Sequence, residues 1–110
     1  SGKLDSDEAE IGKLLIKRAA REVYFDSHLV KLTLKEFELL WYLWINRNRV
    51  VTREELLDHV WGYEYAGETR TLYMHVRTLR QKLGEEGASY VTTVRGIGYR
   101  LAGPEESREG

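Results

Sequence analysis

The sequence contains no cysteine. That excludes a disulfide scaffold, thiolate metal sites and a cysteine nucleophile, and it fits a reducing compartment. No uninterrupted apolar run approaches the ~20 residues that a membrane-spanning helix needs, and no secretory signal is visible. Internal repeats and low-complexity segments are also missing. A soluble cytoplasmic domain is therefore the expectation. What is present suffices for one core: 110 residues, 42% of them hydrophobic, with three Trp and seven Tyr. A domain near this size buries roughly 60–70% of its unfolded surface and folds without staples.

An excess of positive charge is also lacking. The net charge is −1, which on its face argues against a polyanion partner. The mean conceals a gradient. Residues 1–10 set Asp5, Asp7, Glu8 and Glu10 against Lys3, and residues 104–110 set Glu105, Glu106 and Glu109 against Arg108. Without these acidic ends the remainder carries +4. The stretch 69–83 holds Arg70, Arg77, Arg80 and Lys82 and no acid at all. Placement of charge, more than its sum, governs association with nucleic acid. A basic but merely solvated helix face is the alternative.

Residues 1–9 read as a cloning scar (Ser1-Gly2) followed by an acidic leader or interdomain linker, and 103–110 as a disordered tail. Between them, 10–102 form the domain. Apolar runs at Leu14-Leu15-Ile16, Val23-Tyr24-Phe25 and Leu29-Val30 are separated by turn-prone pieces, which suggests an antiparallel meander. Thr33 and Glu36 have capping-box spacing and open a helix whose Phe37, Leu40, Leu43 and Trp44 share a face. Asn46-Arg47-Asn48-Arg49 stops it. Thr52 and Glu55 repeat the capping signal for a second helix, ended by Gly62. A third helix runs from about Thr69 to Leu83, with core stripe Leu72, Val76, Leu79 and Leu83 and Gly84 as terminator. Two β-rich pieces, Tyr90–Val94 and Tyr99–Leu101, flank Gly96-Ile97-Gly98, whose glycines supply the positive φ of a tight hairpin.

Opposite the core stripe of the third helix lie Arg70, Met74, Arg77, Thr78 and Gln81, with Tyr73 and Arg80 on a flank. Arg reads guanine bidentately, Gln reads adenine, and Met or a Thr methyl meets a thymine methyl. The absence of carboxylates avoids repelling phosphate, and Arg95 sits near the tip of the following hairpin. Strands, three helices and a hairpin are the layout of a winged helix-turn-helix, with one helix for the major groove and one arm for an adjacent groove. Lys82 is expected to add only sequence-independent attraction, or none.

The segments "LTLKEFELLWYL" (32–43), "NRVVTREELLDHVWG" (48–62), "RTLYMHVRTLRQKL" (70–83) and "TVRGIGYRL" (93–101) resemble the C-terminal DNA-binding effector domain of OmpR/PhoB-family response regulators. With the strand-rich 10–31 they cover nearly all of 10–102. The resemblance implies an α+β fold with a four-stranded N-terminal antiparallel sheet, three helices and a C-terminal hairpin wing. It implies sequence-specific duplex DNA binding as the output step of two-component signalling, on direct-repeat half-sites. It also implies a receiver domain, phosphorylated by a sensor histidine kinase; no aspartate-bearing α/β pattern precedes residue 10, so the chain corresponds to the effector half. On this likeness Arg70, Met74, His75, Arg77, Thr78 and Arg80 approach bases or phosphates, as do Thr93 and Arg95 in the wing; Tyr73 and Gln81 join them from the helical wheel. Tyr73 stands where the family is commonly acidic and Thr78 where it is often Arg, so base preferences do not transfer from relatives. The loop 62–68, with Tyr63, Glu64 and Tyr65, corresponds to a loop that the family uses to contact RNA polymerase; the plainer and favoured reading is that the tyrosines simply cover the core.

Other residues carry plainer readings. Trp41, Trp44 and Trp61 recur among leucines at helical spacing, which favours packing over single-strand stacking. His28, His59 and His75 lack i,i+4 partners, so no metal or cofactor is expected; His75 is either a phosphate-side contact or a helix-flank residue. Glu36, Glu38, Glu54 and Glu55 lie in or near first helical turns, where they complement the dipole. No nucleophile–base pair appears, so no enzyme is expected. The rival from another class is a winged helix used only for protein interaction, without DNA readout.

Overall fold

The computed structural model describes residues 7–62 and 69–104. The chain opens with four short strands: β1 (Glu8–Ile11), β2 (Leu14–Lys17), β3 (Glu22–Phe25) and β4 (His28–Val30). They form an antiparallel meander in sequence order. The register aligns Ala9 with Ile16, Ile16 with Val23, and Val23 with Val30. Because side chains alternate along a strand, this row shares one face, and Ala9, Ile16 and Val23 are buried on it. Strand β1 begins at Glu8, inside the stretch that the sequence reading assigned to the leader; burial of Ala9 holds it there. The far boundary moves as well. Gly103 is buried, and a Cβ on it would lie 2.7 Å from Cγ1 of Ile11, so order continues past the expected start of the tail.

Helix α1 (Leu34–Ile45) starts on the expected capping box. Thr33 Oγ1 accepts from Glu36 N at 3.2 Å, and Glu36 Oε1 accepts from Thr33 N at 2.9 Å. Its Phe37, Leu39, Leu40 and Leu43 are buried. Helix α2 (Arg53–Leu56) is capped by Thr52 and widens into a π-helical turn over Leu57–Trp61. Gly62, at φ 97°, closes that turn. Helix α3 (Thr69–Ala88) carries the predicted stripe of Leu72, Val76, Leu79 and Leu83, all buried. Gly84 (φ 88°) breaks the helical path where a terminator was expected, and the chain resumes helical turns to Ala88.

The wing consists of β6 (Val91–Val94) and β7 (Gly98–Leu101), paired antiparallel. A two-residue strand, β5 (Val51–Thr52), adds to β7, so the wing belongs to a three-stranded sheet ordered β5-β7-β6. Two residues are too few to show a period of two, which is why the sequence reading saw only a cap there. The two wing glycines divide their duties. Gly96 has φ 78° and supplies the turn. Gly98 does not need positive φ, contrary to expectation; a Cβ there would lie 2.0 Å from the Val51 carbonyl oxygen, so it is glycine because β5 passes so close. The Trp residues are half-buried against the core, with Arg18 over Trp41 and Arg47 over Trp44.

Candidate nucleic-acid interface

Helix α3 is mounted from two sides. Its leucine stripe packs toward the core shared with α1, which leaves the opposite side to water. Along that side Arg70, Tyr73, Met74, Arg77 and Gln81 are exposed, Met74 by 57%. An exposed methionine at mid-helix gains nothing for folding, since burial is what rewards apolar surface. From residue 70 to 81 the face runs about 16 Å at 1.5 Å per residue. Arg95 is exposed in the turn between β6 and β7, which the 2.9 Å bond from Ile97 N to Val94 O closes.

The structure separates these residues from others that the sequence reading grouped with them. Thr78 turns toward α1: its Oγ1 donates to Oε2 of Glu36 and, at 3.2 Å, to the His75 carbonyl. His75 is partly buried, with Nδ1 2.8 Å from the Thr71 carbonyl and its ring edge-on to Trp61 at 4.9 Å. Arg80 reaches across to the wing, where Nε and Nη2 donate to the Val91 carbonyl and Nη2 also donates to Thr93 Oγ1 at 2.7 Å. Thr93 is thus an acceptor within the domain, though its residue remains exposed. Tyr63, Glu64 and Tyr65 lie outside the described residues.

Glu36 and Lys82 are the supports that sequence reasoning missed. Glu36 is only 3% exposed, yet it accepts from Thr33 N, Thr78 Oγ1 and, at 2.7 Å, Lys82 Nζ. Burial pushes its carboxyl up, but the hydrogen bonds from Lys82, Thr78 and the Thr33 backbone, with the Lys82 charge, outweigh that and hold it at about 2. It is therefore ionised at neutral pH. Lys82 spends its charge on this carboxylate and is not a free phosphate contact. The capping-box spacing located Glu36 on α1; nothing local in the sequence announced its partners 42 and 46 residues away. On the outward face itself, Arg70, Arg77 and Arg95 have no carboxylate partner among the described residues. The arrangement presents exposed guanidinium forks, an amide and an apolar tip along one helix face, beside a hairpin bearing a further cation. Among the described residues no helix is long and apolar enough to cross a membrane.

Known proteins share this architecture. The family described as "Transcriptional regulatory protein, C terminal" matches residues 27–101. The transcriptional regulatory protein VxrB of Vibrio cholerae is 47% identical over 98 residues, which cover 88% of this chain and 38% of VxrB. The RstA DNA-binding domain of Klebsiella pneumoniae, solved in complex with the RstA box, has a TM-score of 0.77 at 30% identity, over 86% of this chain and 96% of that one. The response regulator DrrB of Thermotoga maritima, an OmpR/PhoB homologue, has a TM-score of 0.78 at 28% identity, over 88% and 45%. The chain spans less than half the length of the curated relatives it matches. With strands, helices and wing in the same order, and a family match over most of its length, the chain belongs to the C-terminal domain family of transcriptional regulators, the winged-helix output domains of OmpR/PhoB-type response regulators.

Proposed function

We propose that this domain binds duplex DNA sequence-specifically, with α3 in the major groove and the wing against an adjacent minor groove. The observation that carries the reading is the outward face of α3, where Arg70, Tyr73, Met74, Arg77 and Gln81 stand exposed without a carboxylate among them. An α-helix fits the major groove, and Arg and Gln forks match guanine and adenine edges there. Arg95 is suited to a narrow A·T-rich minor groove, whose negative potential attracts guanidinium. RstA, bound to its DNA box, supports this docking by likeness of fold. Thr78, His75, Thr93 and Arg80 serve the same interface mainly by holding the helix and wing in place. In the whole protein, phosphorylation of a receiver domain by a sensor kinase promotes pairing of effector domains on direct-repeat half-sites, and the loop 62–68 contacts RNA polymerase. All of this takes place in the cytoplasm.

The test is selection of duplexes from a random pool, followed by binding titrations in rising salt. If three to six phosphates are neutralised, log affinity falls against log salt with a slope of about −3 to −5 per domain, at ~0.9 per phosphate. A flat response, or a pool that yields no preferred sequence, overturns the reading.

A further inference from the structure

We infer that Arg80 is a positioning residue that latches the wing to the readout helix, so that α3 and the hairpin meet a duplex as one rigid unit. The inference rests on the DNA-binding reading. Strand β6 is the edge of its sheet, and an edge strand leaves alternate carbonyls without a strand partner. The Val91 carbonyl receives two donors from a single guanidinium, Nε at 3.0 Å and Nη2 at 2.7 Å. Nη2 also bonds Thr93 Oγ1, and the guanidinium lies 5.8 Å from the centre of the buried Tyr99 ring. Only Arg offers this planar fork; Lys has the charge but a single nitrogen. Arg80 thereby joins two elements by a side chain one turn along α3 from Arg77 and two residues along the wing from Arg95. The far end of the hairpin is pinned separately, by the 3.3 Å bond from Arg53 N to the Ile97 carbonyl. With both ends held, the distance between the helix face and the wing tip is fixed before any DNA arrives, and no binding energy is spent on ordering it.

The experiment is a pair of double-mutant cycles read by fluorescence anisotropy. Two duplexes carry the same selected site, one with an A·T-rich flank and one with a G·C-rich flank. The proteins are the wild-type domain, Arg95→Ala, Arg77→Ala, Arg80→Lys and the two doubles. On the A·T-flanked duplex Arg95→Ala weakens wild-type binding about tenfold. In the Arg80→Lys background the same change costs less than about twofold, while Arg77→Ala costs as much as before. Three results overturn the inference. Arg80→Lys leaving affinity and both cycles untouched marks Arg80 as a charge contact to phosphate. Loss of melting temperature with equal weakening on both duplexes and additive cycles marks it as generally structural. Coupling to Arg77 in place of Arg95 puts the latch on the wrong element. Should Arg80→Lys fail to fold, Thr93→Val removes one of the three bonds, and coupling to Arg95 of at least about twofold is still expected; an additive result there refutes the latch. A wild-type domain that binds neither duplex refutes the DNA-binding reading itself, whereas a binding wild type with additive cycles refutes only the role of Arg80.

Discussion

Acid should unfasten α3 from α1 through one carboxyl group. The Glu36 carboxyl sits at about 2 in the folded domain against 4.5 as its ordinary value. A group lowered on folding stabilises fully above its unfolded value and loses that contribution as pH falls toward the folded one. The window is therefore pH 4.5 down to 2. At 1.36 kcal/mol per unit, the difference corresponds to about 3 kcal/mol, a large share of a typical 5–15 kcal/mol total. Glu36 is almost fully buried, so solvent screening takes little from this figure. Glu36→Gln keeps the shape and an acceptor for Thr78 but removes the partner of Lys82. Because Lys82 is partly exposed it can turn to water, and the expected cost at pH 7 is about 2 kcal/mol. Urea titrations of both proteins at pH 7, 5, 3.5 and 2.5, followed by circular dichroism, test this. The gap between wild type and variant should be widest at pH 7 and close below pH 3. Glu55, also held at about 2 by hydrogen bonds from Arg49 and Tyr42, titrates in the same window; it is common to both proteins and cancels in the difference. A gap of equal size at pH 7 and 2.5 would show that Glu36 is not held ionised by this network.

Three further outcomes follow from the same geometry. Arg77→Ala should cost about 1–3 kcal/mol on the selected duplex and relax preference at one or two base pairs; unchanged base preference in a repeated selection would mean that α3 is docked by another face. Gly98→Ala should lower the melting temperature by about 4–12 °C, the equivalent of ~1–3 kcal/mol of overpacking against the Val51 carbonyl. An unshifted melting curve would refute that close approach. Lys82→Ala should lower stability at pH 7 by about 2 kcal/mol and leave the salt slope of binding unchanged; a slope shallower by about one would return Lys82 to the phosphates.

Local chemistry made much of this domain legible, and distance hid the rest. Thr33 with Glu36, the leucine stripe of α3, Gly62, Gly84 and the hairpin around Gly96 are signals confined to a few residues, and each element stands where they put it. A helical wheel also separates the inward from the outward side of α3. It fails at the flanks, because it cannot know what packs beside them. Thr78 lies on the predicted outer face, yet the N-terminus of α1 comes close enough for Glu36 to claim its hydroxyl. Arg80 was grouped with the reading residues from its flank position on the wheel and the family likeness, yet the edge carbonyl of Val91 lies within its reach. Gly98 was expected to supply positive φ, whereas what forbids a side chain there is a two-residue strand 47 positions earlier.

The net charge of −1 is reconciled with a polyanion partner by how the cations are spent. Lys13, Lys35, Arg49 and Lys82 each lie within 4 Å of a carboxylate, and Arg18, Arg21 and Arg47 lie over aromatic faces. The four cations paired with carboxylates are partly neutralised, so they add little to the outward field. Among the described residues Arg70, Arg77 and Arg95 have no such carboxylate, and they are exposed on α3 and at the wing turn. Field at a surface depends on the nearest uncompensated charges, because screening in physiological salt removes contributions beyond about 8 Å. The buried Glu36 lies against α3, but Lys82 answers it at 2.7 Å. Removing Lys82 leaves an unmatched negative charge buried against α3, so the destabilisation expected of Lys82→Ala follows from that uncompensated carboxylate and not from any lost phosphate contact.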